Sequence, residues 1–376
     1  MNNASVIAFN VAYEAIPVGK QKLHAKKYQI NGRFPVVDQG QSNIAGYCDD
    51  ETLVRNENET LILFGDHTRA VKYIDFPFIV GADGVRLYRA RAGFDAEYLF
   101  FFLKNAHLPN DGYGRHSKHL EKLALPKLTF CSQRNIANLL RTQLATAVEA
   151  KIAAQAQFDE LTHLAHAIIR ETLHHPDTET HLLGDVLDEV KLGVGASWAD
   201  YPVLGATRSG LAPAREPVGK NPQRYKPVFT GTVFYNPMRI LIGSIAMVDE
   251  HDTPGITSPD YVALRGRAGR VDSRWFYYWL RSPEGERCIA SLARGAVRER
   301  MLFNRLTEGQ ISLPPYEVQV KASQSLADIR PLKTQVEAQL RDIELLPSRL
   351  LAQAFDTQGD HQNDEQTHRI PTPRHL

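Results

Sequence analysis

The sequence predicts an α+β protein built twice over: a mixed strand-and-turn domain, a long helix, a second such domain and a second long helix. Three observations carry this reading. Apolar or small residues recur at Leu140, Leu144, Ala147, Ala154, Phe158, Leu161, Ala165 and Ile168, and again at Ala322, Leu326, Ile329, Val336, Leu340, Ile343 and Leu350. Steps of three, four or seven residues are the seam that coiled-coil helices bury. The two series superpose at an offset of 182 residues, with Lys151 and Lys333 in the same slot. Finally, the order of short strands, aromatic helix and glycine-basic loop ahead of the first helix returns ahead of the second.

The first domain opens with an extended run, Phe34 to Val37, ending in the polar loop Asp38-Gln39-Gly40-Gln41-Ser42-Asn43. Thr60 to Phe64 is a β-prone run broken by Gly65-Asp66-His67-Thr68-Arg69. Phe76 to Val80 leads through the turn Gly81-Ala82-Asp83-Gly84 to Val85-Arg86-Leu87-Tyr88, which reads as its hairpin partner. Asp95 caps a Phe-rich helix from Tyr98 to Lys104. After the flexible Gly112-Tyr113-Gly114, the run Leu123-Ala124-Leu125-Pro126 closes the unit.

Ser132 is the expected N-cap of the first long helix and Pro176 its stop. At about 1.5 Å per residue such a helix is roughly 60 Å long, more than one domain needs. In the second domain Tyr201 to Gly210 answers the run from Phe34. Arg274 to Leu280 answers the aromatic helix, Ala293 to Arg300 the glycine-basic loop, and Ile311-Ser312-Leu313-Pro314 the closing run. Pro331 and Pro347 remove helical hydrogen bonds from the second long helix, so a kink or restart is expected at each. The polar stretch 357–376 reads as disordered.

With 376 residues the chain exceeds one ordinary domain, and 43% hydrophobic residues suffice for real cores. No run is apolar enough to span a membrane, and the N-terminal residues do not read as a signal peptide. Cys48, Cys131 and Cys288 are scattered, giving neither zinc spacing nor a disulfide framework, which fits a reducing cytoplasm.

Enzymatic signatures are weak. Leu313-Pro314-Pro315-Tyr316 resembles the Asn-Pro-Pro-Tyr motif of amino-methyltransferases, but Leu cannot hydrogen-bond a target amino group. Asn236-Pro237-Met238 lacks the second proline and the aromatic. Gly219-Lys220 has no phosphate-loop context. His163 and His166 could share a metal but have no third ligand nearby. Nothing assembles around Asp66-His67. No catalytic residue, metal site or cofactor is therefore assigned to this chain.

The loops are more informative. Gln39, Gln41 and Asn43 are side-chain types that pair bidentately with adenine in a major groove. Arg115, His116, Lys118 and His119 follow a glycine-flexed turn and suit phosphate or guanine. Their counterparts are Arg294, Arg298, Arg300 and Arg305. Between Gly205 and Pro315 there are 16 Lys and Arg against 10 Asp and Glu, although the whole chain carries only +1. One basic loop is usually a solvated face. Two at matching places in a repeat suit a two-part DNA site.

These residues resemble the specificity (S) subunits of type I restriction–modification systems. The carriers are Val37 to Gln41, Ile62 to Arg69, Val80 to Val85, Ser258-Pro259-Asp260-Tyr261, and the Leu-Pro turn into each long helix, with Gln133-Arg134 in the first copy. The second helix departs from the family's Glu-Gln-Arg start, reading Glu317-Val318-Gln319. The resemblance implies two pseudo-symmetric target recognition domains, residues 1–131 and 176–316. Two long antiparallel, coiled-coil-like helices, 132–175 and 317–356, would join them and fix the spacer between half-sites. It further implies a non-catalytic cytoplasmic subunit that binds double-stranded DNA, methyltransferase (modification) subunits and restriction subunits. S-adenosylmethionine, ATP and Mg2+ would sit on those partners. The DNA-contact set becomes Gln39, Gln41, Asn43, His67, Arg69, Arg115, His116, Lys118, Thr207, Arg208, Ser209, Arg239, Arg294, Arg298 and Arg300. A stand-alone DNA methyltransferase or nuclease, and a duplicated protein-binding scaffold, are the alternatives.

Overall fold

The computed structural model describes residues 5–19, 22–55, 59–81, 84–112, 114–293 and 300–355. The chain forms two compact units, one comprising 1–152 with 341–376, the other 153–340. The boundaries cut through both long helices, because each half-helix buries its seam within its own unit.

In the first unit, β1 (Val6–Ala8) leads through a helical turn, α1 (Phe9–Ala12), into β2 (Tyr13–Ile16). Then come β3 (Phe34–Val37), β4 (Gly46–Cys48), β5 (Val54–Arg55), β6 (Leu61–Gly65), β7 (Val71–Ile74), β8 (Phe78–Val80) and β9 (Val85–Ala90). Helix α2 (Ala96–Asn105) starts at Asp95, whose carboxylate accepts the Tyr98 N–H at 2.9 Å. Strand β10 (Ala124–Pro126) pairs with β1. Two four-stranded sheets form, β2-β9-β6-β7 and β4-β3-β8-β5. The expected hairpin between Phe76–Val80 and Val85–Tyr88 is therefore absent. β8 lies parallel to β3 in one sheet, whereas β9 pairs with β2 and β6 in the other. Alternation explains why: β6 is buried throughout, with Ile62 and Phe64 packing toward α2 and the long helices and Leu61 and Leu63 toward Phe78 and Val80.

Helix α3 runs from Phe130 to Leu173. Its cap is Thr129, not Ser132: Thr129 Oγ1 accepts the Ser132 N–H at 3.1 Å.

The second unit repeats the topology. β11 (Glu179–Leu182), the turn α4 (Leu183–Val186) and β12 (Leu187–Glu189) precede β13 (Leu204–Thr207), β14 (Gly210–Pro213), β15 (Lys226–Val228) and β16 (Val233–Tyr235). β17 (Ile245–Met247), β18 (Gly255–Thr257) and β19 (Val262–Gly266) follow, then α5 (Ser273–Leu280), α6 (Pro283–Leu292), α7 (Phe303–Leu306) and β20 (Gln310–Leu313). The sheet β12-β19-β16-β17 matches β2-β9-β6-β7, and β11-β20 matches β1-β10. The pairs β13-β14 and β15-β18 are joined by a parallel bridge, Val203 to Ile256, where the first unit has Val36 beside Ile79. This agrees with the reading of Tyr201 to Gly210 as the answer to the Phe34 run. Asp272 caps α5 through the Trp275 N–H at 2.9 Å, as Asp95 caps α2.

Helix α8 spans Tyr316–Phe355 as one helical run through Pro331 and Pro347. The expected restart does not occur. In each unit the half-helices of α3 and α8 run antiparallel. Lys151 meets Glu344 at 2.9 Å while Leu140 shares a core with Leu351; in the other unit Lys333 meets Thr162 at 2.9 Å while Ile169 shares a core with Leu326. A like-charged pair buried in a seam is unfavourable, so each lysine needs solvent or a carboxylate. Lys151 meets that need, but Lys333 is half-buried over the Phe158 ring, 4.5 Å from its centroid, and burial lowers its pKa.

A better mark of the repeat is a glutamine. Gln133 Oε1 accepts the Asp95 N–H at 3.0 Å and its Nε2 donates to Leu128 O at 3.1 Å. Gln319 Oε1 accepts the Asp272 N–H at 3.0 Å and its Nε2 donates to Pro314 O at 2.8 Å. These residues are 186 apart, one helical turn from the offset of the lysines, so Glu337 and not Lys333 answers Lys151. Stepping one turn along a seam preserves its apolar face, which is why either offset fits the pattern.

Candidate nucleic-acid interface

In the first unit three segments converge: the loop after β3, the turn joining β6 to β7, and the chain ahead of β10. Asp66 locks the second to the third. Its carbonyl accepts the His116 N–H and faces His116 Nδ1, both at 2.9 Å, and its carboxylate accepts the Ser117 N–H at 2.9 Å. Burial pushes the Asp66 carboxyl up, but the Ser117 amide and Arg86, at 3.3 Å, outweigh it and hold it below the ordinary value. The imidazole of His116 is only 1% exposed. Nδ1 lies against Asp66 O and Nε2 against the Asp111 N–H at 3.2 Å, so both ring nitrogens have partners. His116 therefore holds the fold, and its assignment as a DNA contact is corrected.

The first loop is fastened from below. Lys72, 3% exposed, donates to Ser42 O at 2.6 Å and lies 3.8 Å from Asp38, whose Oδ1 accepts the Gly40 N–H at 2.8 Å. Gln39 is half-buried: its Oε1 accepts the His67 N–H at 3.3 Å, and its carbonyl accepts the Thr68 hydroxyl. A Cβ at Gly65 would come within 2.9 Å of Gln39 O, so the close approach of loop and turn requires glycine there. Gln39 joins loops, whereas Gln41 and Asn43 are exposed, Gln41 donating to Thr68 O at 3.3 Å.

Exposed polar and basic side chains surround this scaffold. His67 and Arg69 sit on the turn, Arg69 with the unusual φ of 59° and its guanidinium donating to Leu108 O at 3.1 Å. Arg115 precedes the short helical stretch 116–122 and is exposed, its guanidinium without a hydrogen bond or ion pair among the described residues. Lys118 is less free: Asp111 takes it and His119 at 2.7 Å each, and their hydrogen bonds hold the Asp111 carboxyl at about 2. Arg86, absent from the predicted set, also faces outward. The alternation of buried Val85 and Leu87 around it was the available signal.

The second unit assembles the equivalent segments. Thr207-Arg208-Ser209 forms the β13–β14 turn, with Thr207 Oγ1 donating to Gly210 O at 3.0 Å, and Arg208 and Ser209 are exposed. Arg239 lies on the β16–β17 turn, exposed. Arg281, from the end of α5, ties the two turns together by donating to the carbonyls of Arg208, Gly243 (3.4 Å) and Ile245 (2.9 Å). The Met301 N–H donates to Pro237 O at 3.0 Å, as His116 does to Asp66 O. That equivalence aligns Arg115 with Arg300, each preceding the buried residue that pins its loop. Arg300 pairs with Asp260 at 3.2 Å in the open. Arg294 and Arg298 lie outside the described residues. Among the described residues no group of three metal-ligating side chains occurs.

No protein-family model matches the chain, and no curated protein sequence matches it. Solved structures do. The type I restriction–modification S subunit of M. genitalium aligns with TM-score 0.54 and 16% identity, covering 94% of this chain and 97% of that one. A chain from work on complex assembly and conformational transition of the type I R-M system aligns with TM-score 0.58 and 14% identity, covering 93% and 97%. At that identity the likeness speaks for architecture, and over nearly its whole length the chain has the fold of a type I restriction–modification S subunit.

Proposed function

We propose that the chain is a non-catalytic DNA-specificity subunit. It reads a bipartite duplex, one half-site per unit, and directs adenine-methylating and restriction subunits to it. The observation that carries this is the repetition of one loop architecture with Arg115 and Arg300 at the same station. The fold shared with S subunits supports it. Phosphate-binding cations supply affinity while exposed polar side chains such as Gln41, Asn43 and Ser209 read base edges. S-adenosylmethionine, ATP and Mg2+ belong to the partner subunits in this reading, and the chain acts in the cytoplasm.

Mapping methylated adenines in the source genome tests it. A two-part motif with a fixed gap should be present, vanish when this chain's gene is deleted, and return on complementation. A motif that persists after deletion overturns the proposal. Methyl transfer by the purified chain alone would restore the stand-alone enzyme, and complex formation indifferent to DNA sequence would restore the scaffold.

A further inference from the structure

The β16–β17 turn differs in chemistry from its equivalent. In the first unit the turn is polar, Asp66-His67-Thr68-Arg69. In the second it is longer and carries Met238, Leu241 and Ile242 at 63%, 61% and 66% exposure. Exposed apolar residues standing singly are ordinary, but three on one turn are not. The tip is also held firmly. Asn236 Oδ1 accepts the Met238 N–H at 3.0 Å, Ile240 is buried beneath it, and Gly243 closes the turn with φ 81°, donating to Ile240 O at 2.9 Å. The backbone is fixed in a form that leaves these side chains outside.

What surrounds the tip indicates its occupant. Arg239 is on it. A Cβ on Gly243 would lie 3.7 Å from Arg208 Cγ, so the Arg208 stem rests against one side. The Met301 N–H binds Pro237 O at 3.0 Å, which brings the neighbouring Arg300 to this turn, its guanidinium paired with the exposed Asp260 at 3.2 Å. An apolar wedge with arginines beside it fits a surface that presents phosphates around an apolar feature. The major groove is such a surface, because the thymine 5-methyl is the apolar group on its floor.

We infer that Leu241 and Ile242 read thymine methyl groups in the half-site of the second unit, with Arg208, Arg239 and Arg300 on the flanking phosphates. The inference rests on the specificity-subunit reading and extends it: the two units recognise bases by different chemistry, one through amides, the other through apolar contact.

The test uses the chain assembled with its methyltransferase subunits and duplexes bearing the mapped motif, in which thymines of the second half-site are replaced by deoxyuridine. Loss of each contacted methyl should weaken binding about fourfold. The same replacement in the first half-site should have no effect through these residues. Leu241→Ser with Ile242→Ser should bind thymine and deoxyuridine duplexes equally and relax the methylated motif at the corresponding positions. Equal binding of both duplexes by the unaltered complex overturns the inference, as does a second half-site without an A·T pair. A serine variant that loses subunit assembly but keeps its motif also overturns it and makes the tip a protein contact. A source genome with no bipartite motif would instead bring down the underlying reading.

Discussion

Gln133 and Gln319 show how much one side chain can fasten. Each satisfies the N-cap residue of the aromatic helix and a carbonyl at the start of its own long helix. Gln133→Ala or Gln319→Ala leaves those groups without partners and should cost about 1–3 kcal/mol, read from urea unfolding. An unchanged midpoint would remove the glutamine from the fastening. Arg115 and Arg300 belong to a different class, since they touch little of the protein. Arg115→Ala or Arg300→Ala should leave stability within about 0.5 kcal/mol and lower the slope of log affinity against log salt by about 1. A slope that does not move would take that arginine off the phosphates. Asp249 is a third case. Burial pushes its carboxyl up, but the Arg274 hydrogen bonds, the Glu250 amide and Arg330 at 3.4 Å outweigh that and keep it below the ordinary value. A lowered folded pKa stabilises above the unfolded value of about 3.9, and the contribution is lost as pH falls below it. The stability gap between wild type and Asp249→Asn should be wide at pH 7 and shrink below about pH 4. A gap constant with pH would contradict this assignment.

Among elements, α8 is the one whose sequence argues against its shape. Pro331 and Pro347 cannot donate to the carbonyls four residues earlier, yet the helix continues through both. Tertiary packing sustains it: Ile329, Val336 and Ile343 are buried along the seam that the period announces. Pro331 is exposed, so Pro331→Ala should raise stability, by up to about 3 kcal/mol, in thermal or urea melts. No gain would mean that the helix has adapted its backbone to the ring. Periodicity was legible in the sequence, as the seam and the β6 run attest, and so was the cap at Asp95, although the cap of α3, Thr129, lies three residues before the expected Ser132. Pairing was not legible, because a glycine turn between Val80 and Val85 cannot say that its two strands enter different sheets. Of the candidate site, the loops that the fold brings together were legible. Which side chains face inward was hidden, since Lys72, Gln39 and His116 have the same polarity as their exposed neighbours and only three-dimensional crowding separates them. Arg281 lies in an aromatic helix ending and gives no sequence sign that it binds three carbonyls of distant turns.

At the scale of the whole molecule, the repeated topology means that, under the proposed function, each unit reads its own half-site. Exchanging residues 206–210 and 236–244 for the loops of a related subunit should change the second half-site of the methylated motif and leave the first intact. Simultaneous change of both would mean that recognition is shared between units. The long helices have another consequence, which concerns synthesis. The second unit is contiguous, 153–340, whereas the first needs 341–355 to complete its core, with Leu351 buried among Leu140 and its neighbours and Phe355 against Tyr98 at 5.5 Å. On the ribosome the portion made first must therefore wait, open, until the portion made last arrives. The later-made unit can close before it, reversing the usual order in which nascent domains fold.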